Sequence, residues 1–224
     1  MTQHSIIHGE AVQTLKGFKA GSIDLVVTDP PYLCNYRDRD GRKVRNDDNA
    51  DGVLGVFPEL YRVLKADSFA VVFCGWTAID QFSRAWTEAG FRVGGHLVWG
   101  KDYVSNAKHV QYRHESAWLL TKGRPERQGK ALHDLLEWTY SGNRHHPTEK
   151  AIEVVAPLTR SFSKPGDTVL DPFLGSGTTA VAAALAGRRA IGVELEEKYC
   201  TLAESRVAGA ERYWNSKTEE KRAA

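Results

Sequence analysis

Short apolar runs alternate along this chain with stretches of helical periodicity. The run Ile23–Thr28 is rich in β-branched residues and is bounded by Gly21 and by Pro30-Pro31, which predicts a buried strand that stops abruptly. Similar runs predict strands at residues 69–74, 91–99, 114–121, 169–171 and 190–193. The spacing of apolar residues predicts helices at residues 53–64, 78–89, 148–161, 175–185 and 196–214.

This alternation is typical of the α/β class, in which helices cover both faces of a mostly parallel sheet. Thr148 is expected to cap its helix, with Glu149 in the positive first turn. Residues 95–121 predict an antiparallel hairpin with a long irregular tip, and residues 122–143 are polar and weakly patterned. The charged tail 215–224 is expected to fray.

Length and composition predict one soluble domain over residues 1–224. The chain is 42% hydrophobic, and no apolar run reaches the roughly 18 to 20 residues of a membrane helix. Its amino terminus lacks the basic start and apolar core of a secretory signal, so we expect a cytoplasmic protein. Cys34, Cys74 and Cys200 are odd in number and far apart, which predicts free thiols. The adjacent His145 and His146 lack a carboxylate-rich spacing, so no metal site is predicted.

The net charge of +2 is weak evidence for a nucleic-acid partner, but two polar segments are locally basic. The first carries Arg37, Arg39, Arg42, Lys43 and Arg45. The second carries Lys122, Arg124, Arg127 and Lys130. Such segments are either ordinary solvated loops or contacts to a phosphate backbone.

The tetrapeptide Asp29-Pro30-Pro31-Tyr32 follows the first strand, at the end where α/β sheets bind ligands. It suits methylation of an exocyclic amine, whose lone pair is delocalised into the base. Asp29 and the Pro30 carbonyl, which the proline rings hold rigid, can accept the amine protons, and Tyr32 can stack on a flipped-out base. The alternative is a turn that merely ends a strand.

A second motif, at residues 171–179, joins a strand to a helix through Gly175 and Gly177. Glycines allow the backbone to approach a ligand closely, and the turn opens at a helix amino terminus. Gly175, Gly177 and Ala180, followed by Glu194, also satisfy the fingerprint of NAD-binding domains. Such domains normally begin with this fingerprint, whereas here it lies near the end of the chain.

Together these motifs resemble the DNA amino-methyltransferase family, in the permuted group whose catalytic tetrapeptide precedes the cofactor motif. Residues 169–179 are similar to that cofactor motif, and residues 187–199 to the strand and ribose-binding acid that follow it. Residues 143–150 resemble the segment that completes the methionine end of the cofactor pocket. Trp99-Gly100-Lys101 and His114-Glu115 resemble the hairpin that walls the base pocket in this family. Asn46-Asp47 resembles a polar pair that lies downstream of the tetrapeptide.

The resemblance implies a Rossmann-like fold with a mostly parallel, seven-stranded sheet. It implies transfer of a methyl group from S-adenosylmethionine to N6 of a flipped-out adenine in double-stranded DNA, by a protein that forms a homodimer. The implied catalytic residues are Asp29, Pro30, Pro31 and Tyr32. The implied cofactor-binding residues are Asp29, His146, Thr148, Lys150, Asp171, Phe173, Gly175, Ser176, Gly177, Thr178 and Glu194. The expected DNA contacts are Arg37, Arg39, Arg42, Lys43, Arg45, Lys122 and Arg124.

Three alternative functions stay open. Cytosine N4 methylation shares the chemistry of an exocyclic amine, although those enzymes more often carry serine at the position of Asp29. An NAD-dependent oxidoreductase would use the glycine motif, and a non-catalytic DNA-binding module would need no cofactor. RNA is a possible substrate in place of DNA. The recognition segments, at about 33–51 and 122–142, are short, which predicts a DNA site of only about two to five base pairs.

Overall fold

The computed structural model describes residues 4–35, 41, 45, 47–104, 106–107, 109–126, 130–143 and 145–223. The strands formed by these residues are β1 (Ser5–His8), β2 (Ile23–Thr28), β3 (Leu64–Phe73), β4 (Arg92–Gly100), β5 (Asn106–Ala107), β6 (Gln111–Tyr112), β7 (His114–Lys122), β8 (Leu135–Glu137), β9 (Thr168–Asp171) and β10 (Arg189–Glu194). The helices are α1 (Ala11–Lys16), α2 (Ala50–Leu54), α3 (Val56–Val63), α4 (Ile79–Ala89), α5 (Ile152–Phe162), α6 (Thr178–Ala184) and α7 (Glu197–Ala223), with a 3₁₀ turn at Trp76–Ala78.

In the described part of the chain, eight strands form one sheet in the order β1-β10-β9-β2-β3-β7-β4-β8. The five strands from β1 to β3 in this order are parallel to their neighbours. The carboxyl ends of β2, β3, β9 and β10 therefore lie on the same side of the sheet. β7 is antiparallel to both of its neighbours, β3 and β4, which confirms the predicted hairpin. The α/β class and the mostly parallel sheet are therefore confirmed.

The expected count of seven strands is wrong for the described residues, where the sheet has eight. β8 has only three residues, and it is defined by its pairing with Val98–Gly100 of β4. β1 is also short and lies at the opposite edge of the sheet, beside β10. A strand of three or four residues carries little periodicity, so pairing with distant residues decides its conformation.

The apolar core lies on both faces of the sheet. Neighbouring residues of β2 point to opposite faces, so Leu25 and Val27 join one buried cluster and Val26 the other. Helices α5, α6 and α7 pack on the first face, and α1, α3 and α4 on the second. Burial of both faces explains why Leu25, Val26 and Val27 are apolar in succession and do not alternate with polar residues.

The helix boundaries correct two expectations. The helix predicted at 148 begins at Ile152, its cap position is Ala151 without a side-chain hydrogen bond, and Thr148 lies before it. The tail expected to fray is helical as far as Ala223 in α7. No helix among the described residues has the length and apolar character that crossing a bilayer requires.

Candidate active site

A cleft with a volume of about 1390 Å³ runs along the edge where the parallel strands end. β2 contributes Asp29 to this cleft, and the turn after β3 contributes Trp76. On one side of Asp29 lie Phe173 and Glu194, which follow β9 and end β10. On the other side lie residues of the β4–β7 hairpin, such as Glu115. The fold therefore brings both sequence motifs into one concave site, at the edge where α/β proteins bind ligands.

Asp29 is held by two side-chain donors. The Tyr32 hydroxyl donates to Asp29 Oδ1 at 2.7 Å, and the Lys150 ammonium donates to Asp29 Oδ2 at 2.6 Å. Lys150 Nζ also lies 3.4 Å from the Tyr32 oxygen and 5.2 Å from the centre of the Phe73 ring. Each carboxylate oxygen keeps a further lone pair, so Asp29 can accept from a ligand while its own orientation is fixed.

Burial sets the protonation of the groups around Asp29. Burial, and next the Asp29 charge, raises the pKa of Tyr32 well above its usual value, so its hydroxyl remains a donor at neutral pH. The same two causes raise the pKa of Cys74 to about 12, which leaves its thiol protonated and unreactive. Burial lowers the pKa of His146, so this imidazole is neutral at pH 7.

The glycine-rich loop before α6 depends on glycine at one position for two reasons. Gly177 has a φ of +92°, in the left-handed region. A Cβ at this position would lie only 2.7 Å from Cβ of Ala203 in α7. Beside it, the buried Thr178 Oγ1 has no hydrogen-bond partner among the described residues. Glycine at position 177 therefore allows the loop to pack directly against α7 at the start of α6.

Two acidic residues shape this loop. The buried Asp171 accepts from the Thr28 hydroxyl at 2.8 Å and from the Phe173 amide at 3.1 Å, and burial raises its pKa to about 6. Glu194 lines the cleft, and its two carboxylate oxygens accept from the Gly175 amide and the Glu196 amide, both at 2.8 Å, which leaves each oxygen a further lone pair. Asp171 therefore anchors the loop, whereas Glu194 both anchors it and is open to a ligand.

The segment before α5 contains an ion pair that sequence reasoning missed. Glu149 is buried and precedes α5, so it does not lie in the first turn of a helix as expected. Its Oε1 accepts from Arg206 at 2.8 Å and from the Ser176 hydroxyl at 3.2 Å. Arg206, in α7, also donates to the Ser176 carbonyl at 2.7 Å. Since 57 residues separate the two partners, no local pattern signals the pair. It fastens the segment that carries Lys150 to the glycine-rich loop and to α7.

His146 and Thr148 also line the cleft beside this loop. The Thr148 hydroxyl lies 3.2 Å from His146 Nδ1, and the His146 ring packs edge-on against Tyr199 with centroids 4.7 Å apart. The carbons of His146 lie within 3.7 Å of the position a Cβ would take on Gly175. The predicted cofactor residues from two distant segments are therefore neighbours in space.

The predicted hairpin wall faces the opposite side of Asp29. Gly100 pairs with His114, and the next residues, Lys101 and Glu115, form an ion pair with Lys101 buried. Lys101 Nζ also lies 5.2 Å from the centre of the Trp138 ring. His114, Glu115 and Lys101 all line the cleft.

The predicted DNA contacts divide into three groups. Four of them lie outside the described residues: Arg37, Arg39, Arg42 and Lys43. Arg45 is exposed and lines the cleft. Lys122 and Arg124 lie far from the cleft. Lys122 pairs with Ser68 in the first half of β3, whereas the cleft lies where β3 ends. The Lys122 ammonium donates to two backbone carbonyls, those of Tyr61 and Leu64, both at 2.6 Å. This arrangement argues against contact of Lys122 or Arg124 with a duplex in the cleft.

A family model described as DNA methylase, covering N6 and N4 methyltransferases, matches residues 23–205. The chain belongs to this family. It is 48% identical over 206 residues to the YubD protein of Escherichia coli (strain K12), which is named as a putative methylase, and the match covers 92% of this chain and 91% of that one.

Two solved structures of DNA methylases share the fold. A putative DNA modification methylase of Thermus thermophilus, in complex with S-adenosyl-L-methionine, is 26% identical with a TM-score of 0.73 over 93% of this chain and 96% of that one. The cytosine-N4-specific PvuII DNA methyltransferase has a TM-score of 0.74 over 96% of this chain and 93% of that one. At 20% identity, the latter supports the fold alone.

Proposed function

We propose that this DNA methyltransferase transfers a methyl group to N6 of a flipped-out adenine in double-stranded DNA. The observation that carries the proposal is the Asp29 carboxylate at the end of β2, oriented by Lys150 and Tyr32 and open to the cleft. Asp29 precedes Pro30-Pro31-Tyr32, the arrangement that we associate with adenine enzymes.

The cofactor is S-adenosylmethionine, and the residues of the site fit it. Gly175 lines the cleft without a side chain that would keep a ligand away, Thr178 Oγ1 lacks a partner among the described residues, and Glu194 on the cleft wall can accept from ribose hydroxyls. The anchored segment with His146 and Lys150 closes the loop from the other side. When bound, the cofactor supplies an electrophilic methyl group on a sulfonium.

In the proposed mechanism the protein aligns the acceptor amine. The protons of N6 point at Asp29 and at the Pro30 carbonyl, which frees the nitrogen lone pair to rehybridise toward the methyl group. Asp29 receives the proton that the amine loses after the bond to carbon forms, so the carboxylate needs no unusual basicity. Lys150 and Tyr32 are positioning residues, since they act on the substrate through Asp29. Alignment of the reacting atoms supplies much of the rate.

Analysis of nucleosides tests this proposal. Plasmid DNA from a host without methyltransferases is incubated with the protein and S-adenosylmethionine, digested, and analysed by mass spectrometry. We expect N6-methyldeoxyadenosine, and none with Asp29→Ala. N4-methyldeoxycytidine would replace the adenine proposal with the cytosine alternative, and the absence of any methylated nucleoside would favour a DNA-binding module or an RNA substrate.

Three further properties are part of the proposal: a recognition site of about two to five base pairs, a homodimer, and a cytoplasmic location. The first follows from the few side chains that can read base edges. Sequencing of DNA methylated by the protein reports the site directly, and a strict site of six or more base pairs would contradict it. Light scattering at micromolar concentration reports the oligomeric state.

A further inference from the structure

A stacked aromatic pair, the exposed Trp76 and the half-buried Tyr112, lies at the mouth of the cleft. Trp76 is 56% exposed, although large apolar side chains are usually covered. Its ring stacks on that of Tyr112 with centroids 5.2 Å apart and planes 18° from parallel. Trp76 begins the 3₁₀ turn after β3, and Tyr112 lies on the small β5–β6 hairpin at the tip of the β4–β7 hairpin. Both residues line the cleft.

This aromatic pair adjoins the wall of the base pocket. Gly75, directly before Trp76, lies so close to Tyr32 that a Cβ on it would be 2.9 Å from the Tyr32 ring. The close approach fixes the position of the Trp76 backbone relative to Tyr32. Trp76 therefore directly follows a residue that contacts Tyr32, whose ring we propose stacks on the target base.

The strand order places the aromatic pair on the side of Asp29 that faces away from the glycine-rich loop. β9 and β10, which carry the glycine-rich loop and Glu194, lie on one side of β2, whereas β3 and β7 lie on the other. Trp76 follows β3, so at least one strand spacing of about 4.8 Å separates it from the β2 end in the direction away from the loop. A second, small cavity beside Asp29, Thr178 and Asp171 is lined by neither Trp76 nor Tyr112.

We propose that Trp76 and Tyr112 form a stacking platform for a DNA base adjacent to the target. Extrusion of a base leaves its neighbours with unstacked faces, and an aromatic ring at the mouth of the pocket can cover one of them. Because Trp76 already rests on Tyr112, little side-chain freedom is lost when a base binds. The inference rests on the proposed function in one respect, namely that the target base enters beside Tyr32.

The test compares Trp76→Ala with a matched control. Tyr213→Ala removes an equally exposed ring, 58% exposed, from α7 and away from the cleft. Binding is measured by fluorescence anisotropy with a labelled duplex that contains the site mapped for the wild-type protein. The KM values for DNA and for S-adenosylmethionine are measured in parallel.

We expect Trp76→Ala to weaken duplex binding and raise the KM for DNA by about 5- to 150-fold, which corresponds to about 1 to 3 kcal/mol at about 1.4 kcal/mol per tenfold. The KM for S-adenosylmethionine should stay within about twofold of wild type. Trp76→Phe should restore most of the binding, and Tyr112→Leu should weaken it in the same direction, which keeps the test independent of the folding of one variant.

Two outcomes would overturn the platform: a Trp76→Ala protein that binds the duplex as well as Tyr213→Ala does, or one in which the KM for cofactor rises as much as that for DNA. Failure of the proposed function is visible separately. Wild-type protein would then yield no N6-methyldeoxyadenosine, whereas failure of the platform leaves wild-type methylation intact.

Discussion

The Lys150 ammonium lies 2.6 Å from Asp29 Oδ2, across 121 residues of sequence. Lys150 is only 10% exposed in this pair and Asp29 is 20% exposed. The bond joins the segment before α5 to the end of β2, and with the Tyr32 hydroxyl it sets the direction of the carboxylate. The orientation of the proposed amine acceptor therefore depends on a residue far from it in the chain.

Lys150→Met should slow methyl transfer by at least about tenfold, because a hydrogen bond to a charged group contributes about 1.5 to 3 kcal/mol. The stem of the side chain is kept, so the fold should persist. Single-turnover assays at saturating DNA and cofactor measure the effect. Lys65→Met, which removes an exposed ion pair with Asp24 at the opposite edge of the sheet, is the control and should react at the wild-type rate.

Asp29→Ala should reduce methyl transfer by more than about 100-fold, the loss expected for a positioned catalytic group. Asp29 lies outside the two apolar clusters, so the protein should stay folded, although the loss of the counterion of Lys150 should lower the melting temperature. Tritiated methyl transfer and thermal unfolding are measured side by side. A folded variant with near-normal activity would remove Asp29 from the mechanism.

S-Adenosylhomocysteine should raise the melting temperature, whereas NAD at the same concentration should not, since a ligand stabilises only the state that it binds. Gly177→Ala should abolish this stabilisation, because the new Cβ would clash with Ala203 at 2.7 Å. Gly166→Ala is a matched control: its φ is +90°, but in the described part of the chain no atom lies within 4 Å of the new Cβ. Stabilisation by NAD alone would favour the oxidoreductase.

Arg206→Met should destabilise the protein by about 3 to 5 kcal/mol, because it leaves the buried Glu149 carboxylate without its cation. It should also raise the KM for S-adenosylmethionine, since Ser176 loses two of its contacts. Urea unfolding and steady-state kinetics measure the two effects. Adding Glu149→Gln should recover part of the stability, and Arg212→Met, at an exposed position of α7, should have neither effect.

Asp171 predicts a pH dependence of stability with a definite sign. Burial raises its pKa from 3.8 to about 6, so between these values the folded protein keeps a proton that the unfolded chain has lost. Stability from this group therefore falls as the pH rises through that window, by about 3 kcal/mol in total, and stays lower above it. Asp171→Asn should gain stability relative to wild type as the pH rises. Urea unfolding of both proteins at pH 4.5 and 7.5 measures this, and an unchanged difference would contradict it.

The elements that sequence predicted best are those whose identity depends on local pattern. β2 contains the apolar run Leu25–Val27 and ends at Thr28, two residues before Pro30-Pro31, and the glycines before α6 mark a turn that the structure contains. These features gave the position of the cleft, because strand ends and helix starts decide where ligands bind. β8 and the burial of Glu149 had no such signal, since each is set by partners distant in sequence.

Thr148 and Lys122 illustrate how local rules fail. Thr148 has the side chain of a helix cap, but its hydroxyl pairs with His146 and the helix starts later. Lys122 belongs to a basic segment, yet its ammonium donates to the Tyr61 and Leu64 carbonyls, at the start of β3 and away from the cleft. Residue type and clustering indicate what a side chain can do, whereas strand direction decides which edge it reaches.

The strand order also governs when this enzyme can become active during its own synthesis. β2 pairs with β9, and β1 pairs with β10. Both early strands therefore acquire these partners only after residues late in the chain have been synthesised. A ribosome releases the Asp29 tetrapeptide long before Gly175, Glu194 and Arg206 exist. If the proposed cofactor residues are correct, a chain that ends before β9 lacks both the glycine-rich loop and the strand that supports β2, so it cannot hold the methyl donor.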